Sequence, residues 1–247
     1  MNGKTAIVTG CDTGLGQAMA VGLAKAGCDV VGVNVVEPKE SVDLMAETGR
    51  KFFDLRADLS NKEALPGIVA DAVAATGQVD ILVNNAGIIR REEALDFSED
   101  DWDAVMNLNI RSLFFLSQLV AKQFVKQGNG GKIINVASML SYQGGIRVPS
   151  YTASKSAVLG LTRALANEWA KHGINVNAIA PGYMATNNTA ALRRMLIVIR
   201  PFWNAFRRSA GANRRMLQDH ASFSRLRQPH MSTASPLLSM AAGSPAN

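Results

Sequence analysis

Cysteine is scarce in this chain: Cys11 and Cys28 are the only two in 247 residues, too few for a disulfide framework and without the spacing of a metal or redox motif. That excludes a disulfide scaffold and predicts a reducing compartment, the cytoplasm by default. Also lacking are a basic N-terminal region followed by a long apolar stretch and any run approaching the roughly 18 consecutive apolar residues of a membrane span. The expectation is a soluble protein without a signal peptide or membrane partner. Lysine is missing altogether after Lys171. Residues 1–192 carry 17 Lys and Arg against 19 Asp and Glu, whereas residues 193–247 carry nine Arg and a single acid, Asp219. The overall charge of +6 is therefore a property of the tail alone and carries no argument about the partners of the rest.

What is present is the composition of one large α/β domain: 26.4 kDa, 47% hydrophobic and 19% charged. From Lys4 onward, short β-branched runs alternate with longer amphipathic stretches, which is the rhythm of βαβ units. Strands are expected at residues 5–9, 30–34, 51–55, 81–83, 132–136 and 175–179, each with the continuous apolar character of a strand covered on both faces. Helices are expected at 14–26, 62–76, 98–126 and 151–171. Right-handed crossovers then give an α/β, Rossmann-like, doubly wound parallel sheet with helices on both faces. Past Leu192 neither period persists, so the chain divides into a dinucleotide-binding and catalytic domain, 1–192, and an atypical Arg-rich tail, 193–247.

The first strand runs into Gly10-Cys11-Asp12-Thr13-Gly14-Leu15-Gly16 and then directly into a helix. Glycines there let the backbone approach a pyrophosphate closely, and the helix N-terminus offers free N–H groups and a favourable dipole. A tight turn that binds nothing has the same glycines; the order of strand, loop and helix favours a dinucleotide. Asn34 ends the second strand and can hydrogen-bond a ribose hydroxyl, but it cannot neutralise a 2′-phosphate, and Asp12 opposes one. NAD is the expected cofactor. The alternative for Asn34 is a polar residue capping a turn.

Tyr151 and Lys155 stand four residues apart, on one face if the segment is helical. A cation near a phenol favours phenolate, making tyrosine a usable proton donor and acceptor. By chance a Tyr-x-x-x-Lys pair occurs about 0.12 times in a chain of this composition, so the pair needs company. Ser138 supplies it at the carboxyl end of the fifth strand, where ligands bind in open parallel sheets, and Asn84-Asn85-Ala86-Gly87 ends the fourth strand in the same crevice. Asn109, a polar residue on a largely apolar helix, completes the group, although a satisfied core asparagine would look the same. No cluster has metal-ligand spacing.

These residues resemble the short-chain dehydrogenases/reductases. Thr9 to Gly16 is similar to the family's glycine turn, Asp58 followed by Leu59 to its adenine-contacting acid, Asn84 to Gly87 to its Asn-Asn-Ala-Gly stretch, and Asn109, Ser138, Tyr151 and Lys155 to its catalytic tetrad. Pro181-Gly182 after the sixth strand also matches, and the resemblance covers about residues 3–192. It implies that Tyr151 exchanges the substrate proton, that Ser138 positions the substrate oxygen, that Lys155 binds the nicotinamide ribose and lowers the tyrosine pKa, and that Asn109 holds a water in a proton relay. Asn85, Ala86, Gly87, Pro181 and Gly182 would join the glycine loop around the cofactor. A finer resemblance, in residues 89–93, 138–151 and 181–187, is to sugar-acid dehydrogenases of the family. It implies Arg147, and less directly Arg90 or Arg91, as partners of a substrate carboxylate, with Gln143 and Asn187 for hydroxyls. The family usually forms homotetramers and ends in a further strand near Val-Asp-Gly-Gly, which the tail lacks. A shifted reading frame or an unrelated fusion is the expected explanation of that. The competing readings are a Rossmann-fold protein that binds a polyanion such as nucleic acid through the tail, or an inactive product of a damaged gene.

Overall fold

Thr5–Thr9 (β1) is buried at every position, because strands pair with it on both edges and helices cover both of its faces. Successive side chains of a strand point to opposite faces, so its apolar residues feed two cores. Ile7 faces one with Val31, Val33 and Leu82, packed against Ile68, Leu116, Val120 and Phe124. Ala6 and Val8 face the other with Val30, Val83, Ala20, Ala24 and Met45.

The computed structural model describes residues 1–182 and the backbone of 239–240. In chain order the remaining elements are α1 (Gly14–Lys25), β2 (Asp29–Asn34), α2 (Lys39–Ala46), β3 (Phe52–Arg56), α3 (Leu65–Thr76), β4 (Ile81–Asn84), α4 (Glu99–Met106), α5 (Leu113–Gln127), β5 (Gly131–Val136), α6 (Leu140–Gln143), α7 (Pro149–Trp169) and β6 (Ile174–Ile179). Strand order is β3-β2-β1-β4-β5-β6, all parallel. A two-residue strand β7, Ser239–Met240, pairs antiparallel with the end of β6. The order reverses between β1 and β4, and there the carboxyl ends diverge to leave a crevice. This is the doubly wound Rossmann-like sheet that the apolar rhythm implies. The reading of residues 193–247 as a tail, with a last strand missing, falls outside the described residues except for that pair.

Three local features depart from the expected pattern. The helix expected over 98–126 is α4 and α5 joined by a π-helical turn, Asn107–Ser112, which shifts the side-chain register where Asn109 lies. Helix α2 went unread because its outer face is charged and only Ser41 and Met45 are buried. The helical run Glu99–Gln127 is long and apolar enough to cross a membrane by length and composition, although no stretch of the sequence is continuously apolar over that length. Leu116, Val120 and Phe124 on its inner side belong to the core, which accounts for its apolarity.

Candidate active site

The crevice is assembled by hydrogen bonds between the ends of β1, β2 and β4. Gly10 and Gly14 have φ of 62° and 61°, the left-handed region that glycine reaches without strain. A Cβ on Gly16 would lie 1.9 Å from the Gly10 carbonyl oxygen, so loop and helix start can approach only as glycines. Thr13 caps α1 without a side-chain bond, which leaves the first-turn N–H groups unused by any cap. Around this turn Asn85 Nδ2 donates to the Thr9 and Gly10 carbonyls at 3.0 and 2.8 Å, and Thr9 Oγ1 accepts from the N–H groups of Asn85 and Ala86. Ser41 Oγ donates to the Cys11 carbonyl at 2.6 Å. The loop is therefore preformed, with a backbone cradle at a helix N-terminus that fits a pyrophosphate.

Asn34 belongs to the same bracing. It is 2% exposed; its Oδ1 accepts from Cys11 N–H at 2.8 Å and its Nδ2 faces Cys11 Sγ at 3.6 Å. The amide is engaged under the loop and not presented to a ribose, a role closer to the turn-capping alternative. Burial pushes the Cys11 thiol up to about 11. Asp58 is exposed beyond β3 and caps its own turn, accepting from Ser60 N and Oγ, while Leu59 beside it is a core residue. Leu15 is half-buried in the first turn of α1, and Asp12 is half-buried in the loop.

The second half of the crevice holds the tetrad. Gly87 brings two of its members together: a Cβ there would lie 2.9 Å from Asn109 Oδ1 and 3.7 Å from Lys155 Nζ. Asn109, 1% exposed, accepts from Ile88 N–H and donates to the Ile88 carbonyl and to Ser154 Oγ, at 2.9, 2.9 and 3.1 Å. Both of its amide hydrogens are used, so its side-chain contacts pin β4's exit loop to α7 and provide no hydrogen for a relay water. Lys155, 4% exposed, donates to the Val136 carbonyl at 2.6 Å, and burial lowers its pKa to about 8. Its Nζ lies 5.7 Å from the centre of the Tyr151 ring. Tyr151 is hydrogen-bonded to Ser138, whose Oγ also accepts from Leu140 N–H at 3.1 Å.

The tyrosine departs from the expectation that Lys155 lowers its pKa. Burial of the phenol raises it overall; the Ser138 hydrogen bond and the Arg91 charge act downward without offsetting the burial. Pro181 and Gly182 lie alongside, the Pro181 carbonyl accepting from Met139 N–H at 3.0 Å. Gln143 is exposed at the end of α6. Arg147 lies between two carboxylates, 3.2 Å from Glu92 Oε1 and 3.2 Å from Glu93 Oε1. Arg90 is paired with Asp101 at 3.0 Å. Asn187 lies outside the described residues. Among the described residues, no group of three or more His, Cys, Asp or Glu is placed to hold a metal.

Sequence reasoning missed Ser41 and Ser154, hydroxyls that knit the site, because single Ser residues carry no pattern, and it placed Thr9 only at the start of the glycine turn. Ser41 had the further disguise of an unread helix.

A preformed glycine loop at a topological switch point, facing a Ser, Tyr, Lys and Asn cluster, defines a nicotinamide-dependent oxidoreductase, and the chain belongs to the short chain dehydrogenase family, whose profile matches residues 4–196. Two curated relatives are similar over 193 residues, 78% of this chain and 76% of theirs. They are the 2-dehydro-3-deoxy-D-gluconate 5-dehydrogenases of Dickeya dadantii and Escherichia coli, 71% and 68% identical. Among solved structures, one of Agrobacterium tumefaciens described as a 2-deoxy-d-gluconate 3-dehydrogenase with bound NADP is 52% identical. It has a TM-score of 0.74 and covers 80% of this chain and 78% of its own.

Proposed function

We propose that this chain is an NAD-dependent dehydrogenase transferring hydride between the nicotinamide and a keto or hydroxyl group of a sugar acid, as a 2-dehydro-3-deoxy-D-gluconate 5-dehydrogenase does. The observation that carries the reading is the convergence of Tyr151, Ser138, Lys155 and Asn109 opposite the glycine loop, in a chain that over 193 residues is 71% identical to an enzyme of that name.

The nicotinamide, when bound, supplies the hydride donor or acceptor. In the reducing direction Tyr151 gives its phenolic proton to the carbonyl oxygen as the carbon receives hydride, and in the other direction the phenolate takes the hydroxyl proton back. Ser138 shares that oxygen and holds it within reach of Tyr151. Lys155 stays largely protonated at neutral pH, with its pKa near 8, and its buried ammonium would donate to the ribose of a bound nicotinamide cofactor. Asn109 holds the loop and helix that carry Gly87 and Tyr151. Asp58 would contact the adenine, and Ala86 and Gly182 would join the glycine loop around the dinucleotide. The charge of Arg91 acts on Tyr151 and would attract a substrate carboxylate there, and Gln143 would offer a hydroxyl partner.

NAD is favoured by charge. Beyond β2 the chain exposes Val35, Val36 and Glu37, and the cations nearest in sequence and register, Lys39 and Arg56, sit on Glu37 and Asp54 at 3.6 and 2.7 Å. The NADP named for the Agrobacterium structure makes the comparison of both cofactors essential. A cytoplasmic location agrees with two free thiols, and the exposed Trp102, Phe115 and Val125 on α4 and α5 favour a homo-oligomer.

The test is turnover of 5-keto sugar acids with NADH and with NADPH. Oxidation of NADH that Tyr151→Phe reduces by about 10²-fold or more, with an unchanged melting profile, supports the assignment. Absence of turnover by protein that binds the dinucleotide would overturn the substrate class.

A further inference from the structure

Among the described residues, Arg147 is the one residue other than glycine with a left-handed backbone, φ 63°. A branched-out side chain in that conformation persists only where its surroundings over-determine it. Three contacts do so here. Arg147 Nη2 lies 3.2 Å from Glu92 Oε1, Arg147 Nε lies 3.2 Å from Glu93 Oε1, and the Arg147 carbonyl accepts from Glu92 N–H at 3.1 Å. They stitch together two loops that leave the crevice. One follows Gly87 and Ile88, held by Asn109; the other leads from α6 into α7. Arg147 lies two residues ahead of Pro149, where α7 begins, and Tyr151 is in its first turn. Val148 between them is buried, and a Cβ on Gly145 would lie 2.6 Å from it, so the turn into α7 has no slack.

One guanidinium facing two carboxylates leaves the trio with an excess of negative charge. That repels an anionic substrate and argues against Arg147 as its ligand. We propose that the bridge of Glu92, Arg147 and Glu93 is a positioning device: it fixes the main chain ahead of α7 and so sets the Tyr151 hydroxyl against Ser138. The inference rests on Tyr151 as the proton-transfer group of the proposed reaction, and it makes Arg147 a positioning residue for that group.

Arg147→Gly tests it, because glycine relieves the φ strain while removing the bridge, so a loss of folding is not expected. Two readouts are needed. The first is steady-state turnover of a 5-keto sugar acid with NADH. The second, independent of substrate, is titration of the Tyr151 phenol by ultraviolet difference absorbance in a Tyr142→Phe, Tyr183→Phe background, where it is the remaining tyrosine. Expected are a fall in kcat of about tenfold, since misplacing a reacting group by an ångström can cost up to ~10²-fold, and no change in KM for NADH. The phenol titration should move to higher pH as the Ser138 hydrogen bond is lost, and Arg147→Lys should recover most of the kcat. An Arg147→Gly protein with unchanged kcat and titration would overturn the proposal. So would a loss confined to KM for the sugar acid, which would make Arg147 a substrate ligand. If the unaltered protein turns over no sugar acid, the substrate assignment fails while the phenol titration still decides the role of the bridge.

Discussion

Lys155 shows most directly how a single buried charge weighs on stability. Its ammonium is 4% exposed with one carbonyl as its hydrogen-bond acceptor, and burial holds its pKa near 8, against an ordinary 10.5. A base with a lowered folded-state pKa binds fewer protons folded than unfolded between those two values, so this group's contribution to stability rises as pH climbs from about 8 to 10.5. At neutral pH the buried charge costs on the order of 3 kcal/mol, from 1.36 kcal/mol for each pKa unit. Lys155→Met should therefore abolish turnover and yet stabilise the protein in denaturant titrations at pH 7, and the difference from the unaltered protein should narrow toward pH 10. Gly16 makes the opposite prediction. A methyl group 1.9 Å from the Gly10 oxygen must push loop and helix apart, so Gly16→Ala should lower NAD affinity at least tenfold in equilibrium titrations. Both residues stand out in the sequence by type and spacing. What spacing could not reveal was the direction of the Tyr151 pKa, because burial of the phenol is a property of the packed site.

Between elements, the joints are polar. Asn84 Nδ2 donates to Ser117 Oγ on α5 and to Asn135 Oδ1 on β5, and Asn135 Nδ2 donates to Thr162 Oγ1 on α7, all within 3.0 Å and fully buried. This chain ties the two strands whose ends carry the site to the two helices that cover them. Asn135→Ala should cost about 1–3 kcal/mol, the desolvation left behind when a buried partner is removed. A double-mutant cycle with Thr162→Val should show coupling above about 0.5 kcal/mol. Additive losses would mean the two side chains do not act together. The strands were legible as apolar β-branched runs, and all six were placed within one residue at each end, with β1 matching at both. The π-helical turn and α2 were not. A π turn depends on what its side chains meet across the fold, here Ile88 and Ser154 for Asn109, and α2 depends on the glycine loop that Ser41 supports.

For the molecule as a whole, ligand binding offers the most general reading of whether the dinucleotide crevice functions beside residues 193–247. A ligand that binds the native state alone at 100 times its Kd stabilises it by about 2.7 kcal/mol. For a chain of this size that raises Tm by roughly 5–10 °C. NAD should produce such a rise and NADP a smaller one. Equal shifts would remove the charge argument at the end of β2, and a larger shift with NADP would reverse it. The Arg-rich tail makes a separate claim testable: if it binds a polyanion, DNA affinity should fall steeply with salt and vanish on deletion of 193–247.

The sequence by itself determined the sheet and the cast of the site. Apolar runs that alternate with amphipathic ones can be buried in few ways, and glycine, tyrosine and lysine at fixed spacings each answer a geometric or chemical need that no other residue type meets. Which group touches which was decided only by the tertiary structure. Asn34 turned beneath the loop to Cys11, Asn109 was taken up by Ile88 and Ser154, and Arg147 closed on Glu92 and Glu93, far from it in the chain. The reason is that a polar side chain has several equivalent uses until burial removes water as a partner, and only the fold states what remains within reach.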